Sequence, residues 1–186
     1  MFNDTFFIKK IIRMNHPLEK FRYCPVCGSP EFLENNGKSK KCSQCGFTYY
    51  MNPSAATVAV IVNENNELLV VRRAKEPAKG TLDLPGGFSD FDETSEEGVA
   101  REVFEETGLQ VVDTQFLFSL PNRYVYSGLE IPTMDMFYRC KVAATTGAHA
   151  MDDAAELLWI PLDKVNPEDF GLVSIRKGVE QLKRFV

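Results

Sequence analysis

Residues 86–109, GGFSDFDETSEEGVAREVFEETGL, hold eight carboxylates and a single arginine. Like charges three or four residues apart on a helix repel by a few tenths of a kcal/mol per pair, so such a face requires positive charge from elsewhere. At about 100° per residue, Glu102, Glu105 and Glu106 fall within one arc of roughly 100°, and three carboxylates would converge on one point. Hard divalent cations such as Mg²⁺ take oxygen ligands, so a cation site accounts for a face that helix propensity does not. A solvated acidic face is the plain alternative for a Glu-rich helix. Ala100, Val103 and Phe104 lie across the helix from the glutamates, available for burial against a sheet.

A second set of metal-competent residues lies upstream. Cys24-Pro-Val-Cys27-Gly28 and Cys42-Ser-Gln-Cys45-Gly46 are two knuckles whose spacing lets four thiolates meet tetrahedrally around one ion. The pattern predicts a structural zinc ribbon, because closed four-thiolate coordination leaves no position for a substrate. Iron in a rubredoxin-like site uses the same knuckles, and a pair of disulfides is the metal-free alternative. The stretch MFNDTFFIKKIIRMNHPLEKF has neither a continuous apolar run nor a small-residue cleavage site. A cytoplasmic, reducing location is therefore expected, which disfavours disulfides. Cys140, alone in FYRCKV, reads as a buried strand residue.

Positioning these groups requires a scaffold. The 186 residues are 44% hydrophobic, enough for one ordinary domain and a small module. A net charge of −5 offers no broad basic field for a nucleic-acid backbone or an anionic membrane, so nucleic acid is not the expected partner. The run GKSKK before Cys42 reads as a solvated face, and no apolar run is long enough to span a bilayer. We divide the chain into an N-terminal extension (1–20, with Met14 an alternative start), a ribbon (21–50) and a larger domain (54–186). In the larger domain ATVAVIV and ELLVV, joined by NENN, read as a hairpin. Thr94 and Glu97 form a capping box that opens the acidic helix, and Gly108 closes it. LQVVDTQFLFSL and TMDMFYRCKV read as strands joined by a loop, PNRYVYSGLEIP. ELLWIPL is a further strand, and Leu172, Ile175, Val179 and Leu182 mark an amphipathic C-terminal helix. Strands interleaved with two helices predict an α/β (α+β) sandwich rather than a doubly wound sheet, since the early connections are too tight for crossovers.

The pattern Gly87, Glu93, then Arg101-Glu102-Val103-Phe104-Glu105-Glu106-Thr107-Gly108-Leu109 resembles the Nudix box at every specified position. The resemblance implies a Nudix hydrolase domain, an α/β/α sandwich with a mixed β-sheet. Leu82 stands where many members carry Trp. Glu102, Glu105 and Glu106 match the family's metal-binding glutamates, with a carbonyl of Gly86 or Gly87 completing the shell around Mg²⁺ or Mn²⁺. Glu93 and Arg101 match a supporting pair in which the arginine fork orients the loop against the helix. The implied chemistry is hydrolysis of a nucleoside diphosphate linked to another group, by water attack on phosphorus. Its general base is a box glutamate or a distant loop acid, which makes Glu102 and Glu156 the candidates.

A zinc ribbon ahead of a Nudix domain resembles the NADH pyrophosphatase branch. Of that branch's Ser-Gln-Pro-Trp-Pro-Phe-Pro-x-Ser stretch, SLPNRYVYS keeps two serines and Pro121 but lacks the Trp and two prolines. Tyr124 and Tyr126 are placed to stack on a base and Arg123 to meet a phosphate. The expected substrate is a dinucleotide (NADH/NAD) or ADP-ribose. A triphosphate or nucleotide-sugar hydrolase is the alternative, as is a nucleotide sensor whose ribbon contacts nucleic acid or protein. The family is often dimeric, so a homodimer is compatible with the resemblance.

Overall fold

A computed structural model describes residues 16–182 and 185. Residues 1–15, which include most of the expected extension and Met14, lie outside the described residues. The chain clusters into two compact units, one ending at Asn52 and the other beginning at Pro53.

In the first unit β1 (Phe32–Asn36), β2 (Ser39–Cys42) and β3 (Thr48–Tyr50) form an antiparallel sheet in that order. Its core is small: Cys24, Phe32 and Cys42, with Phe21 and Phe47 against them. A module of this size needs a staple beyond hydrophobic burial. The basic run is not a wholly solvated face. Lys40 is buried, its Nζ donates to the Phe21 carbonyl at 2.8 Å, and it lies 5.8 Å from the Phe32 ring centroid.

The second unit runs β4 (Ser54–Val60), β5 (Glu67–Arg73), β6 (Leu82–Asp83), β7 (Gly86–Phe88), α1 (Ser95–Thr107), β8 (Val111–Tyr126), β9 (Leu129–Val142), β10 (Ala154–Pro161) and α2 (Val173–Leu182), with a 3₁₀ turn at Pro167–Asp169. One sheet is ordered β7-β4-β9-β8, with β4 and β9 parallel and the other pairs antiparallel. The second, antiparallel sheet is β10-β5-β6. Successive residues of a strand point to opposite faces, and both faces are covered. Val58, Val60, Leu68, Val70 and Phe137 pack with Ile175, Val179 and Leu182 of α2. Ala59, Ile61, Leu69 and Tyr138 pack with Val99 and Val103 of α1. Each fully buried Val or Leu contributes about 1.5–3 kcal/mol relative to exposure, so the two layers hold both helices against the strands. The result is the α/β/α sandwich with a mixed sheet that the resemblance implied.

Three local expectations are corrected. The β4/β5 hairpin exists only near its turn, where Val62 bridges Leu68 and Leu69 N–H donates to the Ile61 carbonyl; beyond that the strands splay into different sheets. PNRYVYSGLEIP is not a loop. It is the distal part of a long β8/β9 hairpin, paired residue by residue from Asn122↔Thr133 to Tyr126↔Leu129 and turned at Ser127 and Gly128, both with positive φ. Phe104 is exposed, because the buried stripe of α1 runs through Val99, Val103, Glu106 and Thr107.

Candidate functional site

The acidic helix begins and ends as its sequence dictates. The Thr94 side chain accepts the Glu97 N–H, the Glu97 carboxylate accepts the Thr94 N–H at 2.8 Å, and Gly108 ends the helix in the left-handed conformation. These caps set the rotation of α1 and hence the direction of its glutamates. Gly86 and Gly87 bring β7 close to them. A Cβ on Gly86, at φ 152°, would lie 2.1 Å from the Thr57 carbonyl oxygen, and one on Gly87 would lie 2.5 Å from Glu102 Oε1. At Gly86 the clash is with backbone and only glycine permits the approach, while at Gly87 the missing side chain leaves room for the Glu102 carboxylate.

Arg101 organises the loop ahead of the helix. Its Nη2 donates to Glu93 Oε1 at 2.8 Å and to the Phe88 carbonyl at 3.1 Å, while Nε donates to Glu93 Oε2 at 3.1 Å. These bonds hold the Glu93 carboxyl down at about 2. The remaining donor, Nη1, is shared between Glu102 Oε1 and Glu105 Oε2, each at 2.9 Å. The three box carboxylates are therefore not gathered at one point as the helical arc alone suggested. Arg101 is the cation nearest to Glu102 and Glu105, and it draws both toward itself. Glu106 is buried, and among the described residues it pairs with no Lys or Arg; its Oε2 accepts the Gly86 N–H at 3.2 Å. Burial first, and then the nearby carboxylates Asp83, Glu102 and Asp153, raise its pKa to about 8, against the effect of that N–H. Burial also raises Glu102. An oxygen donor set containing a buried, cation-free carboxylate fits a hard divalent ion.

These glutamates line one end of a cavity of about 360 Å³, a size normal for small-molecule sites. The other end lies over the sheet, among Phe88, Asn122, Tyr124 and Asp135. Arg73 crosses the wall: Nη1 donates to Asp83 Oδ2 at 2.5 Å, Nη2 to the Tyr124 hydroxyl at 3.2 Å, and Nε to the Pro77 carbonyl at 2.7 Å. Tyr124 also meets Phe88 edge to face, with centroids 5.4 Å apart.

Of the three predicted substrate contacts, only Tyr124 lines the cavity. Arg123 points to the opposite face of its strand and pairs with Glu130 at 2.7 Å, while Tyr126 sits exposed at the hairpin tip. Glu156 is also absent from the lining. An irregularity in the β10/β5 register between Ala154 and Glu156 precedes its pairing with Arg72 Nε at 2.8 Å. The loop acids in the cavity are Asp152 and Asp153, together with Lys75, whose Nζ pairs with Asp153. Their loop is docked on the end of α1: His149 N–H donates to the Thr107 carbonyl and Met151 N–H to the Glu106 carbonyl. Arg73, Lys75 and Asp153 were hidden in the sequence among ordinary charged residues, and only the strand register brings them here.

The four ribbon cysteines are free thiols whose Sγ atoms all lie within 4.8 Å of one another, with Cys24–Cys45 and Cys27–Cys42 at 3.6 Å. Tetrahedral zinc at its usual Zn–S length places sulfurs about 3.8 Å apart, so the cluster fits a zinc ribbon. Backbone N–H groups of Cys45 and Gln44 help to lower the Cys42 thiol to about 6, while burial and the neighbouring thiols raise Cys27 and Cys45. Among the described residues this is the one group of three or more such ligands so tightly clustered, and no helix is long and apolar enough to cross a membrane.

The chain is 32% identical over 114 residues to the NAD-capped RNA hydrolase NudC of Vibrio parahaemolyticus, covering 61% of this chain and 43% of that protein. It is 40% identical over 79 residues to an ADP-ribose pyrophosphatase of Methanocaldococcus jannaschii, covering 41% of this chain and 46% of that protein. The chain thus spans less than half the length of either relative. The crystal structure of a NUDIX hydrolase from Nitrosomonas europaea superposes with a TM-score of 0.66 over 88% of this chain and 93% of that one; at 22% identity it shows the fold alone. The NUDIX domain model matches residues 51–181, more than half of the chain, and with the box, the caps and the sandwich in place the chain belongs to the Nudix family.

Proposed function

We propose that this chain is a divalent-metal-dependent pyrophosphohydrolase that splits a nucleoside diphosphate linked to another moiety, a dinucleotide or ADP-ribose. The observation that carries this reading is one cavity lined both by the box carboxylates and by the aromatic and amide groups of Phe88, Tyr124 and Asn122. A diphosphate bridge and a nucleoside need that pairing of surfaces. The relatives' names, NAD-capped RNA hydrolase and ADP-ribose pyrophosphatase, add support for nucleotide substrates of this kind.

In this reading Glu102, Glu105 and Glu106, with a carbonyl of Gly86 or Gly87, are the groups that would hold Mg²⁺ or Mn²⁺. When bound, the ion neutralises phosphate charge and acidifies water. Arg101 keeps its grip on Glu93 and so fixes the loop from β7 to α1. Lys75 faces the diphosphate from the opposite wall. The proton released by the attacking water passes to a carboxylate of the cavity, Glu102 or Asp153. Glu156, bound to Arg72 outside the cavity, takes no part. In the ribbon, zinc held by Cys24, Cys27, Cys42 and Cys45 is structural.

The test is product analysis in ¹⁸O-labelled water with Mg²⁺, using ADP-ribose, NADH, NAD-capped RNA, nucleotide sugars and nucleoside triphosphates. AMP and ribose 5-phosphate from ADP-ribose, with label in one monophosphate, are the expected products. Highest kcat/KM on triphosphates with pyrophosphate release would replace this substrate class with the alternative.

A further inference from the structure

Asp135 and Asn122 lie on the α2-facing side of the four-stranded sheet, at the end of the cavity away from the box glutamates. The register puts them there: Asn122 pairs with Thr133 across β8/β9, and Thr133 and Asp135 point to the same face. Asp135 is 4% exposed. Thr133 Oγ1 donates to its Oδ1 at 2.5 Å and Ser174 Oγ donates to its Oδ2. Among the described residues no Lys, Arg or His pairs with it, and Arg73, the guanidinium in the same wall, is already bound to Asp83, Tyr124 and Pro77. Asn122 is 9% exposed, and its amide makes no hydrogen bond among the described residues although it lines the cavity. Its amide atoms are open to the cavity and available to bond whatever occupies it.

Resting on the reading of this cavity as the substrate site, we infer that Asp135 and Asn122 form a base-recognition subsite that selects a nucleobase bearing an exocyclic amino group. The chemistry is complementary. Asp135 has acceptor capacity left after its two hydroxyl donors and needs an N–H, which an amino group supplies. Asn122 offers both N–H and C=O to the adjacent ring position. Phe88 and Tyr124 stand beside the base as aromatic walls. With the base at this end, the diphosphate extends toward Lys75 and α1.

The experiment measures binding of AMP, GMP and CMP to the intact chain by calorimetry, each against the analogue in which hydrogen replaces the amino group. Hydrolysis of ADP-ribose is followed in parallel. At least one amino-bearing nucleotide should bind about tenfold or more tightly than its analogue, the scale of one lost hydrogen bond to a buried charged group. Asp135→Asn should reduce that ratio to within about threefold. Asn122→Ala, which breaks no hydrogen bond of the fold, should weaken binding of the amino-bearing nucleotide while the melting temperature stays at the wild-type value. Equal binding of every pair, or no nucleotide binding at all, overturns the subsite, and so does an unchanged ratio in Asn122→Ala and in a folded Asp135→Asn. Equal binding with hydrolysis intact rejects the subsite alone, whereas absence of hydrolysis on every diphosphate substrate rejects the functional reading beneath it.

Discussion

The Sγ atoms of Cys24, Cys27, Cys42 and Cys45 lie within 4.8 Å of one another, whereas Glu102 and Glu105 turn to Arg101 and Glu106 turns to the Gly86 N–H. The difference follows from what holds each set. The knuckles are fixed by backbone: Gly28 N–H donates to the Cys24 carbonyl and Gly46 N–H to the Cys42 carbonyl, so short side chains meet with little freedom. The glutamates hang on longer side chains from a rigid helix, and their rotamers answer to whatever cation is within reach. A closed thiolate cage suits a structural ion, while an open carboxylate face suits one that must also take substrate.

This contrast is broken most severely at the ribbon. Cys42→Ser, or removal of zinc by a chelator, should unfold the first unit, since structural zinc in such modules contributes on the order of 10 kcal/mol of folding free energy. Circular dichroism and limited proteolysis should show residues 21–50 lost while the second unit stays folded. Retention of both units would mean the thiols carry no stabilising ion.

At the box the effect should be on turnover and not on folding. Glu106→Gln should lower kcat at least about a hundredfold. Its stability effect has a definite sign. A carboxyl raised from an unfolded value near 4.5 to about 8 penalises the fold increasingly between those pH values. The Gln variant should therefore melt at or above the wild-type temperature at pH 8, with the difference vanishing below pH 4.5. A lower melting temperature at pH 8 would show that the Glu106 carboxylate is a structural anchor instead.

The loop acids sharpen the site's boundary. Asp153→Asn should cost about tenfold in kcat as a proton acceptor in the cavity, whereas Glu156→Gln should leave kcat within about twofold. The Glu156–Arg72 pair is about half exposed, so its loss should change stability by about 1 kcal/mol or less. Comparable losses in both variants would move the proton acceptor out to β10.

The last effect, on stability alone, belongs to Glu93. Its carboxyl, lowered to about 2 by Arg101, adds stability that is present above pH 4.5 and is lost as pH falls toward 2. Glu93→Gln should thus be less stable than wild type at neutral pH and match it near pH 2, by thermal melts across that range.

What could be read from the chain alone was local. The caps at Thr94, Glu97 and Gly108 and the two knuckles are decided within a few residues, and sequence spacing located them. PNRYVYSGLEIP, with Pro121 and Pro132, read as a loop where a hairpin stands; among the described residues β8 pairs only with β9, and β9 meets β4 only from Thr133 onward. Each proline therefore has an open side for its missing N–H. Phe104 misled because helical spacing shows that two faces differ and leaves open which residue meets the sheet. Asp135, Asn122 and Asp153 carry no motif, and their meeting depends on strand register and on the loop bonded to the Glu106 carbonyl.

The box glutamates, and not the ribbon, hold the ion that works on substrate in the proposed reaction. Titrating Mn²⁺ into the intact, zinc-loaded chain and reading bound manganese by electron paramagnetic resonance, in wild type, Glu102→Gln and Glu106→Gln, separates the two sites. Mn²⁺ should bind with zinc content unchanged, with affinity at least about tenfold weaker in both variants, and wild-type affinity should rise up to about pH 8 as Glu106 gives up its proton. Equal Mn²⁺ affinity in all three proteins would contradict this assignment.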